Sequence, residues 1–326
     1  MILCITHSSD HYNIDLFHKR VKELGYEMYR FDSDRLGIDY LLEYELNDGS
    51  PQLCLKGPAG RLVATQVQAI WYRKLWALQK PDEMDPAYAE TYSRSYSTYR
   101  DIFFSYLSHL PWINNMSTDH AVGNNKLLQL DHARACGLRV PRTIMTNNMD
   151  RVRQFCEECG GEMVMKIHNA LAQSMNRGAF FPTTLVKKEH LQDAAGLQLC
   201  PMIFQQRIFK SYELRIVYVE GELFAGKIQV NQPGPGAIDW RALSPSEGGS
   251  RWKPYQLPAD VSDSIKKFMQ SLQLSFGAID MIRNTEGDYV FLEVNPQGEW
   301  GMLQRDLNYP IAETIADKLI NKIRVS

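Results

Sequence analysis

The 326-residue sequence lacks the features that mark several large classes of protein. It contains no apolar run near the roughly 20 residues that a membrane-spanning helix needs. Its N-terminus carries no basic segment ahead of a hydrophobic one, unlike a secretory signal peptide. Its charges nearly balance, with 36 Lys and Arg against 38 Asp and Glu, which disfavours a nucleic-acid-binding protein. We therefore expect a cytoplasmic protein without a membrane or nucleic-acid partner.

Cysteine is also scarce and scattered, with six residues along the chain. Cys156 and Cys159 form one CxxC motif, but no second pair completes a zinc site, so we expect two half-buried thiols. The sequence from Gly221 to Lys227 matches the letters of a phosphate-binding GxxxxGK loop. Its interior has the pattern of a strand, and Ile228 rather than Ser or Thr follows the lysine. We therefore reject both motifs as functional sites.

The patterns that are present predict an α/β protein. Strand and helix patterns alternate in the first third of the chain, as in Ile2–Thr6, Asp15–Leu24 and Tyr26–Phe31. Later amphipathic patterns predict helices at Lys187–Ala195 and Ala259–Leu272. A chain of this length is expected to form two or three domains.

The clearest chemical signal is a pair of strands near the C-terminus. Glu293 and Asn295 alternate with aliphatic residues, so both side chains point to one face of their strand. If Asn284–Gly287 is a four-residue turn, Asp280 on the partner strand lies opposite Phe291. Asp280 then lies on the same face as Glu293, one diagonal step or roughly 7–8 Å away. A turn one residue longer would move Asp280 to the other face.

In the first register, three oxygen-bearing side chains converge without cysteine or histidine. Such a donor set selects Mg²⁺ or Mn²⁺ over zinc, and the remaining ligands of the ion would be waters and nucleotide phosphates. The alternative is that Glu293 and Asn295 are ordinary solvent-facing residues of an amphipathic strand.

Several basic residues within or beside apolar elements favour the functional interpretation. A cation inside an apolar strand is costly unless an anion meets it. One such residue is usually part of a structural ion pair, but several beside a magnesium site are better explained by a triphosphate. These residues are Lys126, Lys166, Arg215 and Lys227.

With these residues assembled, the sequence resembles an ATP-grasp ligase from Ser117 to the C-terminus, with a weaker match before it. The matching segments are Asn125–Leu130, Gly137–Pro141, Val164–Lys166, Ile203–Ile208, Glu213–Arg215, Asp280 and Glu293–Asn295. Within that superfamily the sequence is most similar to the enzymes that make microviridin-type peptides, or graspetides. The segments that carry this closer resemblance are Trp71–Arg73, Cys200–Gln205 and Asn295–Gly301.

The resemblance implies an α/β (α+β) ATP-grasp fold in three parts. Residues 1–116 would form a pre-ATP-grasp domain, and residues 117–206 a central subdomain with an ATP lid. Residues 207–326 would form the catalytic subdomain with the magnesium site.

The resemblance also implies roles for individual residues. ATP would be bound by Lys126, Lys166, Ser174, Gln205, Gln206, Ile208, Glu213 and Lys227. The catalytic residues that stabilise the transferred phosphoryl group and the acyl phosphate would be Arg215 and Arg241. Mg²⁺ would be held by Asp280, Glu293 and Asn295. A leader segment of the peptide substrate would bind near Glu189, His190 and Asp193, for which a solvated helix face is the alternative.

The implied reaction activates an Asp or Glu carboxylate of a ribosomal precursor peptide as an acyl phosphate. A hydroxyl or amine of the same peptide then displaces phosphate, giving an ester (macrolactone) or amide (macrolactam) ring. Related enzymes often form homodimers. Two other interpretations remain: a ligase that joins an amino acid to a small-molecule or protein carboxylate, and a non-catalytic peptide-binding homologue.

Overall fold

A computed structural model describes residues 1–47, 49, 51–168, 183–229 and 252–325 of the chain. Within these residues no helix is both long enough and apolar enough to cross a bilayer. Most of the proline- and glycine-rich segment at 232–258 lies outside the described residues.

The first part of the chain forms a four-stranded parallel sheet in the order β2-β1-β6-β7. Its strands are β1 (Ile2–Thr6), β2 (Met28–Asp32), β6 (Ala69–Tyr72) and β7 (Trp112–Ile113). The helices of this part are α1 (Tyr12–Glu23) and α2 (Ala89–Tyr106). The chain segment between β2 and β6 forms a separate antiparallel sheet of three strands. They are β3 (Leu41–Glu45), β4 (Gln52–Gly57) and β5 (Gly60–Val63).

In the parallel sheet, the two neighbouring strands β1 and β6 end in loops that run in different directions. From central β1 the chain goes first to β2 on one side and later to β6 on the other. The loops that follow β1 and β6 therefore diverge at the carboxyl edge of the sheet, where such sheets form ligand-binding crevices.

The middle of the chain forms an antiparallel sheet in the order β10-β9-β11-β8. Its strands are β8 (Thr143–Thr146), β9 (Met163–Lys166), β10 (Thr184–Leu185) and β11 (Met202–Gln206). The helices of this region are α3 (Met116–Gly123), α4 (Lys126–Ala135), α5 (Met149–Glu158) and α6 (Ala194–Leu199). One face of the sheet packs on α5 and α6 through a small apolar core that includes Phe155, Leu197 and Phe204.

The last part forms a five-stranded antiparallel sheet in the order β14-β13-β12-β15-β16. Its strands are β12 (Lys210–Val219), β13 (Glu222–Ile228), β14 (Lys253–Pro254), β15 (Phe276–Asn284) and β16 (Tyr289–Asn295). Its helices are α7 (Ala259–Ser271), α8 (Gly301–Leu307) and α9 (Ile311–Val325).

The two faces of this five-stranded sheet have different partners. One face packs on α4 and α7 through apolar residues that include Leu214, Ile279 and Phe291. On the other face, Val217, Val219 and Phe276 join a core that also contains residues of α1, β6 and α9. Further along the same face the residues are charged instead of apolar. A polar site can therefore form there, beside the N-terminal part.

The helix predicted over 187–195 is wrong in its extent. The structure has a short 3₁₀ helix at Lys188–Gln192 and then a separate helix, α6. The break occurs at Asp193, whose carboxylate accepts a hydrogen bond from the Gly196 N–H at 2.9 Å. An aspartate in this position caps a new helix N-terminus and therefore ends the preceding one. The helices α3 and α8 were not predicted, whereas α7 begins at Ala259 as expected.

Candidate active site

Three charged residues form a row across the five-stranded sheet. Arg215 on β12 pairs with Asp280 on β15, and Asp280 pairs with Glu293 on β16. Residues that lie directly opposite each other on antiparallel strands share a face. Asn295 pairs with Ala278, two residues from Asp280, so its side chain lies on that face as well. The structure thus brings together the three predicted metal ligands.

The predicted pairing that led to this set is wrong by one residue. Arg283 pairs with Tyr289 rather than Asp288, so the turn is one residue longer than expected. By itself that shift would move Asp280 away from Glu293. However, the register changes between Asp280 and Met281, and the extra residue Leu292 forms a bulge. The bulge restores the common face, and Asp280 lies directly opposite Glu293 instead of diagonally.

Two cations contact the carboxylates of this row. The Arg215 Nη1 lies 2.8 Å from Asp280 Oδ1, and both side chains are largely buried. The Lys126 Nζ lies 2.9 Å from Glu293 Oε2. Lys126 reaches this point because it is the first residue of α4, whose Gln129 accepts a hydrogen bond from the Val294 N–H at 3.0 Å. That contact fixes the start of α4 beside β16.

The donor set fits a magnesium ion. Two carboxylates and one amide provide hard oxygen atoms, which suit Mg²⁺ and do not suit a thiol-preferring metal. Asn295 is exposed, and its Oδ1 accepts a hydrogen bond from the Gln297 N–H at 3.0 Å, which orients the amide. Among the described residues no cluster of three or more His, Cys, Asp or Glu could hold a metal by itself. An ion here would keep some of its ligands as water or phosphate oxygens.

Part of the predicted ATP-binding set lies on the middle sheet. Met165 pairs with Phe204, and both belong to the core that packs on α5. Lys166 pairs with Ile203, so its side chain points to the opposite face of β9. Gln205 also lies on that face, and its buried amide donates to the Thr143 Oγ1 at 3.0 Å.

Three more of the predicted ATP-binding residues lie at the end of β11 and on β12. The Gln206 N–H donates to the Arg142 carbonyl at 2.9 Å, and the half-buried Ile208 follows β11. Glu213 is buried on the same face of β12 as Arg215, where it pairs with Lys210. The roles of these residues stay predictions.

A second charged cluster, which the sequence did not reveal, joins the N-terminal part to this face. The Glu299 carboxylate receives Arg73 Nη2 at 2.7 Å, Lys74 Nζ at 2.6 Å and Asn13 Nδ2 at 3.1 Å. Arg73 also lies 3.3 Å from Asp10. Both cations follow β6 and Asp10 follows β1, at the carboxyl edge where the two loops diverge.

The charges in this cluster determine the protonation of Glu299. Burial by itself would raise the pKa of the carboxyl group. Arg73 and Lys74 outweigh that effect through their charges and hydrogen bonds, and they lower the pKa of Glu299 to about 2. Glu299 is therefore an anion throughout the neutral range.

Comparisons with known proteins agree with this geometry. The MvdD pre-ATP grasp domain family matches residues 1–120. The structure is similar to the macrocyclase MdnB of Microcystis aeruginosa, with 36% identity, a TM-score of 0.83 and 98% of each chain covered. It is also similar to the macrocyclase MdnC of the same organism, crystallised with the precursor peptide MdnA. Here the identity is 32% and the TM-score 0.84, over 98% of this chain and 99% of MdnC. The chain belongs to the graspetide maturase family.

Another family member supports the same assignment. A RiPP-associated ATP-grasp ligase of Chryseobacterium gregarium, in complex with ADP and a leader and core peptide, is 27% identical with a TM-score of 0.86. The similarity covers 98% of this chain and 96% of that one. A comparison with curated proteins finds no match. The ATP-grasp fold that the sequence predicted is thus confirmed.

One of the residues predicted to bind ATP in the present protein does not lie at the site. Lys227 pairs with Leu214, whereas Gly226 pairs with Arg215, so Lys227 points to the opposite face of the sheet. Its Nζ lies 5.5 Å from the centre of the Tyr212 ring and 5.8 Å from that of Tyr255. These distances suit cation–π contacts, which account for a lysine in this strand.

The predicted leader-binding residues have local contacts of their own. Asp193 caps α6, and His190 accepts a hydrogen bond from the Lys187 N–H at 3.1 Å. Glu189 is exposed. Their role in leader binding stays a prediction. Ser174 and Arg241 lie outside the described residues.

Proposed function

We propose that the protein is an ATP-dependent ligase that closes side-chain rings in a ribosomal precursor peptide. The row of Arg215, Asp280 and Glu293, with Lys126 at its end, carries the proposal. It supplies oxygen ligands for a metal ion and cations for phosphates on a single face. The full-length similarity to peptide macrocyclases supports the peptide as the substrate.

The chain's own residues would position the reactants. Asp280, Glu293 and Asn295 would hold Mg²⁺, which supplies positive charge that neutralises nucleotide phosphates. Lys126 and Lys166 would bind phosphate oxygens. Arg215 would orient the carboxylate of the peptide and stabilise charge on the phosphoryl group, since such transfers depend mainly on alignment and electrostatics.

The proposed reaction has two steps. In the first, an Asp or Glu carboxylate oxygen attacks the γ-phosphorus of ATP, the bond to the bridging oxygen breaks, and ADP leaves. In the second, a Ser or Thr hydroxyl or a Lys amine of the same peptide attacks the acyl carbon. Phosphate leaves, the nucleophile loses its proton, and an ester or amide ring remains.

We also propose that the protein uses Mg²⁺, forms a homodimer and acts in the cytoplasm. Mg²⁺ is favoured over Mn²⁺ only by general availability, because the oxygen donors suit both ions. Homodimer formation can be measured by light scattering. A cytoplasmic location is consistent with the absence of disulfides among the six free cysteines.

The decisive experiment uses the purified protein and a synthetic precursor peptide. We expect a short open reading frame next to the gene, rich in Thr, Asp, Glu and Lys, to supply the peptide sequence. We expect each ring to reduce the peptide mass by one water and to consume one ATP. Hydroxylamine cleaves esters and spares amides, so it distinguishes the two ring types. Joining of a free amino acid, with no loss of water from any peptide, would favour the small-molecule ligase.

A further inference from the structure

The segment 296–300, which directly follows Asn295, contacts several separate parts of the protein. The Pro296 carbonyl accepts a hydrogen bond from Asn114 at 3.2 Å. The Gln297 amide donates to Asp119 on α3 at 2.7 Å. The Leu75 N–H, which follows β6, donates to the Gln297 Oε1 at 3.1 Å. These contacts hold the segment against α3 and the N-terminal part.

Glu299 connects this segment to the charged row in a specific way. Its carboxylate is held by Arg73, Lys74 and Asn13 of the N-terminal part. Its backbone carbonyl accepts two hydrogen bonds from Arg215, from Nη2 at 3.0 Å and from Nε at 3.3 Å. The two ends of one residue thus join the N-terminal cations to the guanidinium beside Asp280.

We propose that Glu299 is a positioning residue for Arg215, and that Arg73 and Lys74 act through it. This inference rests on the proposed function, in which Arg215 stabilises the transferred phosphoryl group. A guanidinium is planar, so two donors on one carbonyl and a third on Asp280 fix both its place and its plane.

The backbone at Gly298 supports this assignment. A Cβ at this position would overlap the Cβ of Ala278 and would lie 3.0 Å from the Arg215 Nη2. The chain can therefore pass this close to β15 and Arg215 only with a glycine here. The short distance places the Glu299 carbonyl within reach of the guanidinium.

The competing interpretation is that Glu299 merely stabilises the contact between the two parts of the protein. The variant Glu299→Gln keeps the shape of the side chain and removes its charge. If Glu299 positions Arg215, the rate constant for ring formation falls about 10- to 100-fold, the range for a lost supporting contact at a reactive site. The affinity for ADP with Mg²⁺, measured by calorimetry, stays unchanged because Lys126 and Lys166 are untouched.

A matched control is available at the same boundary. Arg20 on α1 pairs with Asp317 on α9 at 2.8 Å, which is also an Arg–carboxylate contact between the N-terminal part and the C-terminal part. It makes no contact with Arg215. We expect Asp317→Asn to leave the rate constant unchanged. We expect Lys74→Met, a change at a partly buried lysine, to reduce the rate constant less than Glu299→Gln does.

The outcomes separate the two interpretations. An unchanged rate constant in Glu299→Gln would overturn the inference. So would a loss of ADP affinity in proportion to the rate, or an equal loss in Asp317→Asn, because both indicate a purely structural role.

Hydrogen exchange gives a readout that does not depend on a peptide. The amides of residues 297–300 should exchange faster in Glu299→Gln than in the wild type, and at the wild-type rate in Asp317→Asn. If the wild type closes no ring in any candidate peptide, the proposed function fails. The exchange rates still test the inference in that case, since unchanged exchange at 297–300 in Glu299→Gln would overturn it.

Discussion

Lys126 and Glu293 lie 2.9 Å apart, Nζ to Oε2, and join the first residue of α4 to the strand that carries two of the three predicted metal ligands. Both side chains are about four-fifths buried, at 20% and 22% exposure. In the proposed site, a lysine in this position lies where a nucleotide phosphate would approach the metal. The pair would therefore combine a phosphate-binding and a metal-binding group in one contact.

The first prediction concerns this contact. Glu293→Gln removes a metal ligand and the charge that faces Lys126, so we expect ring formation to fall at least about 100-fold. The fold should persist, because the Glu293 side chain lies on the polar face of the sheet and the substitution leaves the apolar face intact. Mass spectrometry of the peptide and thermal unfolding measure the two effects. Glu286→Gln, in the exposed turn of the same strand pair, is the control. Full activity in Glu293→Gln would remove the metal assignment.

The second prediction concerns the geometry of Arg215. Arg215→Lys keeps the positive charge, but an ammonium group cannot donate in a fixed fork to both Asp280 and the Glu299 carbonyl. We expect single-turnover ring formation to slow about 10- to 100-fold. Arg283 lies on β15, with its guanidinium 4.4 Å from the Tyr289 ring centre, and serves as the control. The Arg283→Lys variant should form the ring at the wild-type rate. Equal rates in both variants would mean that charge alone suffices at residue 215.

The third prediction concerns Gly298. Gly298→Ala forces the backbone away from Ala278, so we expect a loss of about 1–3 kcal/mol in the free energy of unfolding together with reduced activity. Gly123→Ala is the matched control, because its new Cβ would meet only Pro296, at an ordinary 3.7 Å. Urea unfolding compares the two variants. A neutral Gly298→Ala would show that the segment has more room than the structure gives it.

The fourth prediction concerns pH. Burial raises the pKa of Asp119 from 3.8 to about 7, and the hydrogen bonds from Gln297 and Asn114 offset only part of that shift. Between these two values the native state retains a proton that the unfolded chain has lost, so stability falls as pH rises. Asp119→Asn removes this dependence.

The measurement for Asp119 is the difference in unfolding free energy between the wild type and the variant. We expect this difference to move in favour of Asp119→Asn as the pH rises from about 4 to about 7, and to level off above that. This test needs no peptide substrate. A difference that does not change with pH would show that Asp119 is ionised throughout.

The sequence was sufficient for residues whose roles follow from local alternation. Glu293 and Asn295 are two residues apart on one strand, so their common face could be predicted. The place of Asp280 depended on a turn length and on a bulge at Leu292. An aliphatic residue in a bulge looks the same in the sequence as one in a regular strand, so that prediction reached the right face through the wrong pairing.

Other parts of the site could not be predicted from local patterns. Arg73 and Glu299 are 226 residues apart, and nothing in either segment names its partner. The consecutive Arg73 and Lys74 at the end of a parallel strand were a usable signal, since two adjacent cations at a sheet edge require an anion. Lys227 was predicted on the wrong face of the sheet. A basic residue in an apolar strand can point to either face, and the sequence does not say which face is polar.

The helix α9 has a consequence for how the chain reaches its native state. Ile315, Leu319 and other residues of α9 complete the core that begins with Ile2, Phe17 and Trp71. The core around β1 and α1 therefore cannot close until α9, much later in the chain, has been synthesised. Proteins of this size often depend on chaperones while apolar surface stays exposed. Removal of α9 should accordingly reduce soluble yield far more than its distance from the charged row suggests.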